Sequence, residues 1–335
     1  MSNRAKNFVN TIKNCGPKYD SSFTITGVKD LPEWDGTNDH IQGLAFLHRG
    51  GPAGVASGSS GEGGWFATFD EKESAPREIK YVWKVPDRPK DYNHGGGVAI
   101  LDTAASEPKF LAWPVESKKA DDGDQARIYF FDITNLSSPR QKFVVYPGTS
   151  YGKPVKASAV AITDYVDYLG THKVLFMNWE WARGEIHWYD CNYSDFKSAR
   201  SNPFTKRNVY YVKSDLGHKE GTNVEDVEEG PFTSFVVENF SLVTDENGSI
   251  YLIAYRSDEK ALVRRITQGN NGYEFLSDGT APFTVNCSAT SAQWKWGVSH
   301  RMIDGKIDII SSDRDPHDPS SSNLDAGFKL YRYRA

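Results

Sequence analysis

Cysteine is scarce in this chain: Cys15, Cys191 and Cys287 are the three in 335 residues, and none sits in a CxxC pair. An odd number of distant thiols makes a poor disulfide framework, so these are expected to be free and structural. Positive charge is not in excess either. With 39 Lys and Arg against 44 Asp and Glu the net charge is −5, and a polyanion needs clustered cations, so no nucleic-acid partner is expected. No stretch approaches the roughly 20 apolar residues of a membrane span. The opening "MSNRAKNFVNTIKNCGPK" lacks an apolar core of signal-peptide length, which makes the cytoplasm the default location. Without an export signal, the Asn-x-Ser triads at Asn135, Asn192, Asn239, Asn247 and Asn286 carry little weight.

Several chemistries lack their signatures. There is no HExxH and no paired-Cys spacing, so compact zinc motifs are unsupported. The glycine- and serine-rich run "GVASGSSGEGG" at 54–64 opens no helix, leaves phosphate cradling unsupported and reads as a flexible linker. The acidic run "GHKEGTNVEDVEEG" at 217–230 reads as a solvated loop. "DRDPHD" at 313–318 lacks the glycine and terminal Glu of an EF-hand loop and reads as a turn. Helical spacing of apolar residues is missing everywhere except over residues 5–14.

What the chain does have is aromatic and β-branched residues in short runs, separated by polar turns. Five of those runs open alike: "HIQGLAFL", "HGGGVAIL", "KASAVAIT", "ENFSLVTD" and "WKWGVSHR". Aligned, they place a small residue at Gly43, Gly97, Ala159, Ser241 and Gly297. Second and third apolar runs follow each opening, and outer ones are legible as "QKFVVY" and "NVYYVK". Repeated four-stranded units of roughly 50–60 residues predict an all-β, five-bladed β-propeller. A sixth blade is left open by the long interval between Ala159 and Ser241, and a two-sheet sandwich is the rival architecture. The last repeat ends after its third strand, while "SSFTITGV" at 21–28 is a spare strand ahead of the first. The expected solution is a ring closed by the N-terminal strand, which removes an exposed sheet edge. This gives an arm over 1–20 and one propeller domain over 21–335.

The small residue of each opening answers a steric demand, because five inner strands converge on one axis. The residue three positions earlier stands at the mouth of the channel: His40, His94, Lys156, Glu238 and Trp294. Beside these come Gln42, Ser158 and Trp296, with Asp39, Asp91, Asn93 and Asn239 adjoining. Loops joining second and third strands add Asn178, Glu180, Arg256 and Asp313 to the same face. Titratable groups gathered at one rim perturb one another and mark working sites.

The architecture resembles that of five-bladed glycoside hydrolases, calcium-dependent apyrases and tachylectin-type lectins, over most of residues 21–335 and on strand order alone. That resemblance to the hydrolases implies three carboxylates around the channel, for which Asp39, Asp91 and Glu238 are the matching candidates. Histidine and lysine dominate this rim instead. The blades also share little beyond the small residue, which favours one asymmetric site over several equivalent sugar pockets.

The expected function is therefore an enzyme acting on a polar, sugar-like small molecule or glycan by hydrolysis or elimination. His40 and His94 serve as general acid and base. Lys156 or Arg256 steadies developing negative charge, and Glu238 orients or shares a proton. A divalent metal shared by His40, His94 and Glu238 or Asp39 is the one cofactor the residue types allow. A non-catalytic glycan or metabolite binder, with Trp294 or Trp296 stacking on its ligand, and a protein-interaction scaffold are the alternatives.

Overall fold

The computed structural model describes residues 4, 6–15, 21–26, 40–48, 53–59, 63–70, 77–86, 94–104, 106–116, 126–150, 152–180, 184–211, 237–256, 260–269, 272–276, 283–286, 297–303, 305–312 and 328–334. For some strand-end residues, His40, His94, Glu238 and Arg256 among them, it describes the backbone alone.

A short helix α1 (Phe8–Lys13) and strand β1 (Ser21–Thr26) precede the first blade. Blade 1 consists of β2 (His40–Phe46), β3 (Gly54–Ser59), β4 (Trp65–Asp70) and β5 (Arg77–Lys84). In blade 2 the inner strand is split into β6 (His94–Gly95) and β7 (Ala99–Leu101), both paired with β8 (Phe110–Glu116); β9 (Arg127–Asp132) and β10 (Arg140–Val145) complete it. A two-rung hairpin, β11 (Thr149–Ser150) and β12 (Lys153–Pro154), leads into blade 3. That blade holds β13 (Ala159–Val166), β14 (His172–Glu180), β15 (Glu185–Asn192), helix α2 (Tyr193–Ser198) and β16 (Thr205–Tyr211). Blade 4 runs β17 (Val237–Thr244), β18 (Ile250–Arg256) and β19 (Lys260–Gly269), with β20 (Gly272–Phe275) and β21 (Phe283–Asn286) sharing the outer edge of β19. Blade 5 is β22 (Val298–Ile303), β23 (Lys306–Ser312), β24 (Phe328–Arg334) and, as its outer strand, β1.

The expected closure is therefore present. β1 pairs antiparallel with β24 from Ser21↔Arg332 to Ile25↔Phe328, covering the edge that the last repeat leaves bare. Five blades are formed among the described residues.

Each blade is buried on both faces, which is why its middle strands read as continuous apolar runs. Along β14, Val174 and Phe176 face blade 2, while Leu175, Met177 and Trp179 face blade 4. Each such side chain withdrawn from water is worth about 1.5–3 kcal/mol. The tryptophans of the described blades, Trp65, Trp83, Trp113, Trp179 and Trp188, all serve these interfaces.

Blade 1 corrects one reading. The run 54–59 is not a linker but the fully buried second strand, and Trp65–Asp70 is the third. Its glycines answer crowding rather than flexibility. A methyl group on Gly54 would lie 2.2 Å from the carbonyl oxygen of Ala45, and one on Gly95 would lie 2.6 Å from that of Gly58.

At the axis the small residues behave as expected. Gly97 and Ala159 form a parallel bridge between blades 2 and 3, and a methyl on Gly43 would stand 2.7 Å from the Val98 nitrogen. The channel narrows to a cavity of about 20 Å³ between residues such as Val98, Phe240 and Ser299. That is room for about one water molecule, so chemistry on anything larger belongs to the channel's ends. We call the end where inner strands begin the upper face, and the other the lower face. Cys15 and Cys191 are free and buried; loss of solvation, with Asp308 beside the first and Asp190 beside the second, pushes both thiols up to about 12. No helix among the described residues is long and apolar enough to cross a membrane.

Candidate functional site at the upper face

The apolar faces between blades 2 and 3 turn polar as they rise. On β14 the blade-2 face reads Val174, Phe176, Asn178, Glu180; on β15 it reads Cys191, Tyr189, His187, Glu185. On β8 the facing row is Phe110, Ala112, Pro114, Glu116. The strand period of two thus carries three carboxylates and an imidazole to the top of one interface.

These groups organise the chain as it enters the inner strand of blade 3. The Ser158 amide donates to the Trp179 carbonyl at 3.0 Å, extending the β13–β14 ladder one rung above Ala159↔Trp179. Beyond that rung side chains replace backbone partners. Asn178 Nδ2 donates to the Lys156 carbonyl at 3.1 Å, and the Lys156 amide donates to Glu180 Oε2. Ser158 Oγ then crosses to blade 2, donating to Glu116 Oε1 at 2.5 Å. Further from the axis, Glu185 accepts from Ser150 Oγ at 3.3 Å and contacts His187 Nε2 at 2.8 Å.

Burial divides the cluster into a wall and its support. Asn178, Glu180, Glu185 and His187 are inaccessible or nearly so, whereas Glu116, Lys156 and Ser158 are half-buried and border the mouth. Two buried amides keep unspent capacity: Asn178 Oδ1 and both polar atoms of Asn239 make no hydrogen bond. An unsatisfied buried polar group costs about 1–3 kcal/mol, so such positions call for an explanation beyond packing.

Of the residues expected at this face, Asn178 and Glu180 bond to the backbone of Lys156, and Ser158, two residues on, bonds to Glu116. His94 stands opposite Glu116 in the β6–β8 ladder, and His40 opposite Ser59 in blade 1. Glu238 falls in a bulge of β17, between the pairs Val237↔Arg256 and Asn239↔Tyr255. Gln42 and Asn239 are buried in the starts of their strands rather than open to the mouth. Asp39, Asp91, Asn93, Trp294, Trp296 and Asp313 lie outside the described residues. Among the described residues no group of three or more His, Cys, Asp or Glu is placed to hold a metal ion. Glu116, Glu185, His187 and Ser150 were missed by the search for repeated openings. The signal for the first three was present, as polar residues ending apolar faces at period two.

No family model and no curated protein matches the sequence. Solved structures do match in three dimensions. One is a mutant α-L-arabinanase of Cellvibrio cellulosa, 12% identical, with a TM-score of 0.51 over 88% of this chain and 92% of that one. Another is an α-L-arabinofuranosidase from Fusarium graminearum in complex with an iminosugar inhibitor, 8% identical, with a TM-score of 0.50 over 95% and 98%. What is shared is the fold. Both likenesses run the length of the propeller, and at such identities they assign no residue.

Proposed function

We propose that this protein hydrolyses a glycosidic bond in a glycan bound at the upper mouth of the channel. The observation that carries the reading is the polar network of Glu116, Ser158, Lys156, Asn178 and Glu180, set on top of otherwise apolar blade interfaces. The likeness in fold to an α-L-arabinanase and an α-L-arabinofuranosidase supports the substrate class, and arabinofuranosides head the list of substrates to try. Glycoside hydrolysis needs one group to protonate the leaving oxygen and another to activate water. Glu116 and His94, which stand opposite each other across the β6–β8 ladder, supply one proton-transferring pair. Glu238 and His40, entering from blades 4 and 1, supply the other side of the mouth. Lys156 steadies negative charge developing on the leaving-group oxygen, while Asn178 and Glu180 hold the Lys156 backbone in place.

The test is turnover of a panel of chromogenic glycosides, arabinofuranosides included, by the wild type and by Glu116→Gln and His94→Asn. Loss of a general acid or base lowers kcat/KM by about a hundredfold to ten-thousandfold, with the circular dichroism spectrum retained. Wild-type protein that binds these sugars and turns over none of them would make the mouth a binding site only. Full activity in Glu116→Gln would remove the network from the chemistry.

A further inference from the structure

We infer that the lower end of the channel is a guanidinium-binding site, and that the chain fills it with its own Arg4. The arm that carries Arg4 is anchored on two blades. Phe8 and Ile12 of α1 are buried in the core shared by blades 4 and 5, with the Phe8 ring 4.4 Å from that of Tyr251. The Lys6 amide donates to the Gly305 carbonyl and the Asn7 amide to Glu246 Oε1, both at 3.2 Å. From these anchors Arg4 reaches a third blade. Its Nη1 donates to the Asp164 carbonyl at 2.7 Å and its Nη2 to Asp164 Oδ2 at 2.8 Å.

The acceptors are built rather than incidental. Asp164 offers a carbonyl and a carboxylate from one residue at the end of β13, matching two donors of a planar fork. Thr244 Oγ1, itself 2.9 Å from Thr163 Oγ1, also donates to that carbonyl at 2.7 Å, fixing it from blade 4. His172 Nε2 holds the same carboxylate oxygen at 2.8 Å from the outer side. Above the guanidinium a cavity of about 30 Å³ runs up to His48, His300 and Asp102. Asp102 is already paired with Lys109 at 2.9 Å, which leaves Asp164 as the carboxylate that Arg4 neutralises. The Arg4 side chain is 19% exposed, so a guanidinium from solution can enter by the route Arg4 takes.

The full-length Arg4→Ala variant tests this, with methylguanidinium and methylammonium as probes at millimolar concentration. Without its side chain, amide exchange over 162–166 and 242–246 is expected to quicken about tenfold, which corresponds to a tenfold weaker local equilibrium. Methylguanidinium restores the protection, methylammonium does not, and the wild type responds to neither. Should Arg4→Ala fail to fold, Arg4→Lys carries the same comparison, because an ammonium keeps the charge without the fork. Unchanged exchange in both variants, or equal rescue by both cations, overturns the assignment.

Discussion

Gly96 shows how tightly single residues are held at the axis. A methyl group there would lie 2.0 Å from the Ser158 carbonyl oxygen, and both partners are backbone, so neither can step aside. Gly96→Ala is therefore expected to cost about 3 kcal/mol or more, the range of severe overpacking, read as a lowered urea midpoint. The two imidazoles below that level make a different demand. His48 and His300 lie with ring centroids 5.3 Å apart, and neither nitrogen of His300 is hydrogen-bonded. Burial first, then the nearby Arg301 and Lys109, lowers His48 to about 4; burial and His48 hold His300 well below the usual range. In the unfolded chain both titrate near 6.5. Between that value and the folded ones the unfolded state binds more protons, so this stability is complete above about pH 6.5 and is lost as pH falls toward 4. The slope is about 1.4 kcal/mol per pH unit for each imidazole. Urea titrations at several pH values check it. His48→Gln, which can still accept the Met302 amide (3.0 Å from His48 Nδ1), should flatten the slope by one group's share. The depressed carboxyl of Glu107, bonded to Lys197 and Tyr193, acts only at lower pH.

At the scale of the element, legibility in the sequence depended on what each strand packs against. Inner strands of all five blades and the second strands "KFLAW", "KVLFMNW", "SIYLIAY" and "KIDIIS" were readable because they run as short apolar stretches between apolar clusters. β3 was not, since neighbouring backbone approaches it closely at Gly54 and Gly58 and its residues are Gly, Val, Ala and Ser, close to the composition of a linker. The site was legible where it coincides with a strand opening, as at Lys156 and Ser158. It was hidden at Glu116, Glu185 and His187, because they end apolar faces on β8 and β15 instead of opening an inner strand. The closing strand β1 was read from a count of missing edges, and it can be tested at the backbone. Successive amides of a strand point to opposite sides, so only one of Phe23 and Thr24 donates to β24, and β5 pairs with β1 only at Ile25 and Thr26. Of the variants Phe23→Pro and Thr24→Pro, one should lose about 1–3 kcal/mol with the ladder bond and the other much less. Equal effects in thermal melts would mean that this pairing does not close the ring.

The molecule as a whole has no core within any single blade. Its five apolar clusters each belong to a pair of neighbours: blades 1 and 2, 2 and 3, 3 and 4, 4 and 5, and 5 and 1. In an open array of repeats such nearest-neighbour coupling lets the ends fray and cooperativity decay with length. A closed ring has no end unit, and opening any blade exposes two interfaces at once. The arm adds to this by tying blades 3, 4 and 5 together below the channel. Unfolding should then be a single event despite the chain's length. Tryptophan fluorescence, which reports the interfaces, and far-ultraviolet circular dichroism, which reports the ladders, should trace one urea transition with a common midpoint. A proline that unseats β1 should lower both midpoints and draw them apart, because the loss of one edge pair reopens the ring to stepwise loss of blades. Separated midpoints in the wild type would show that the blades melt independently and that their shared cores do not couple them.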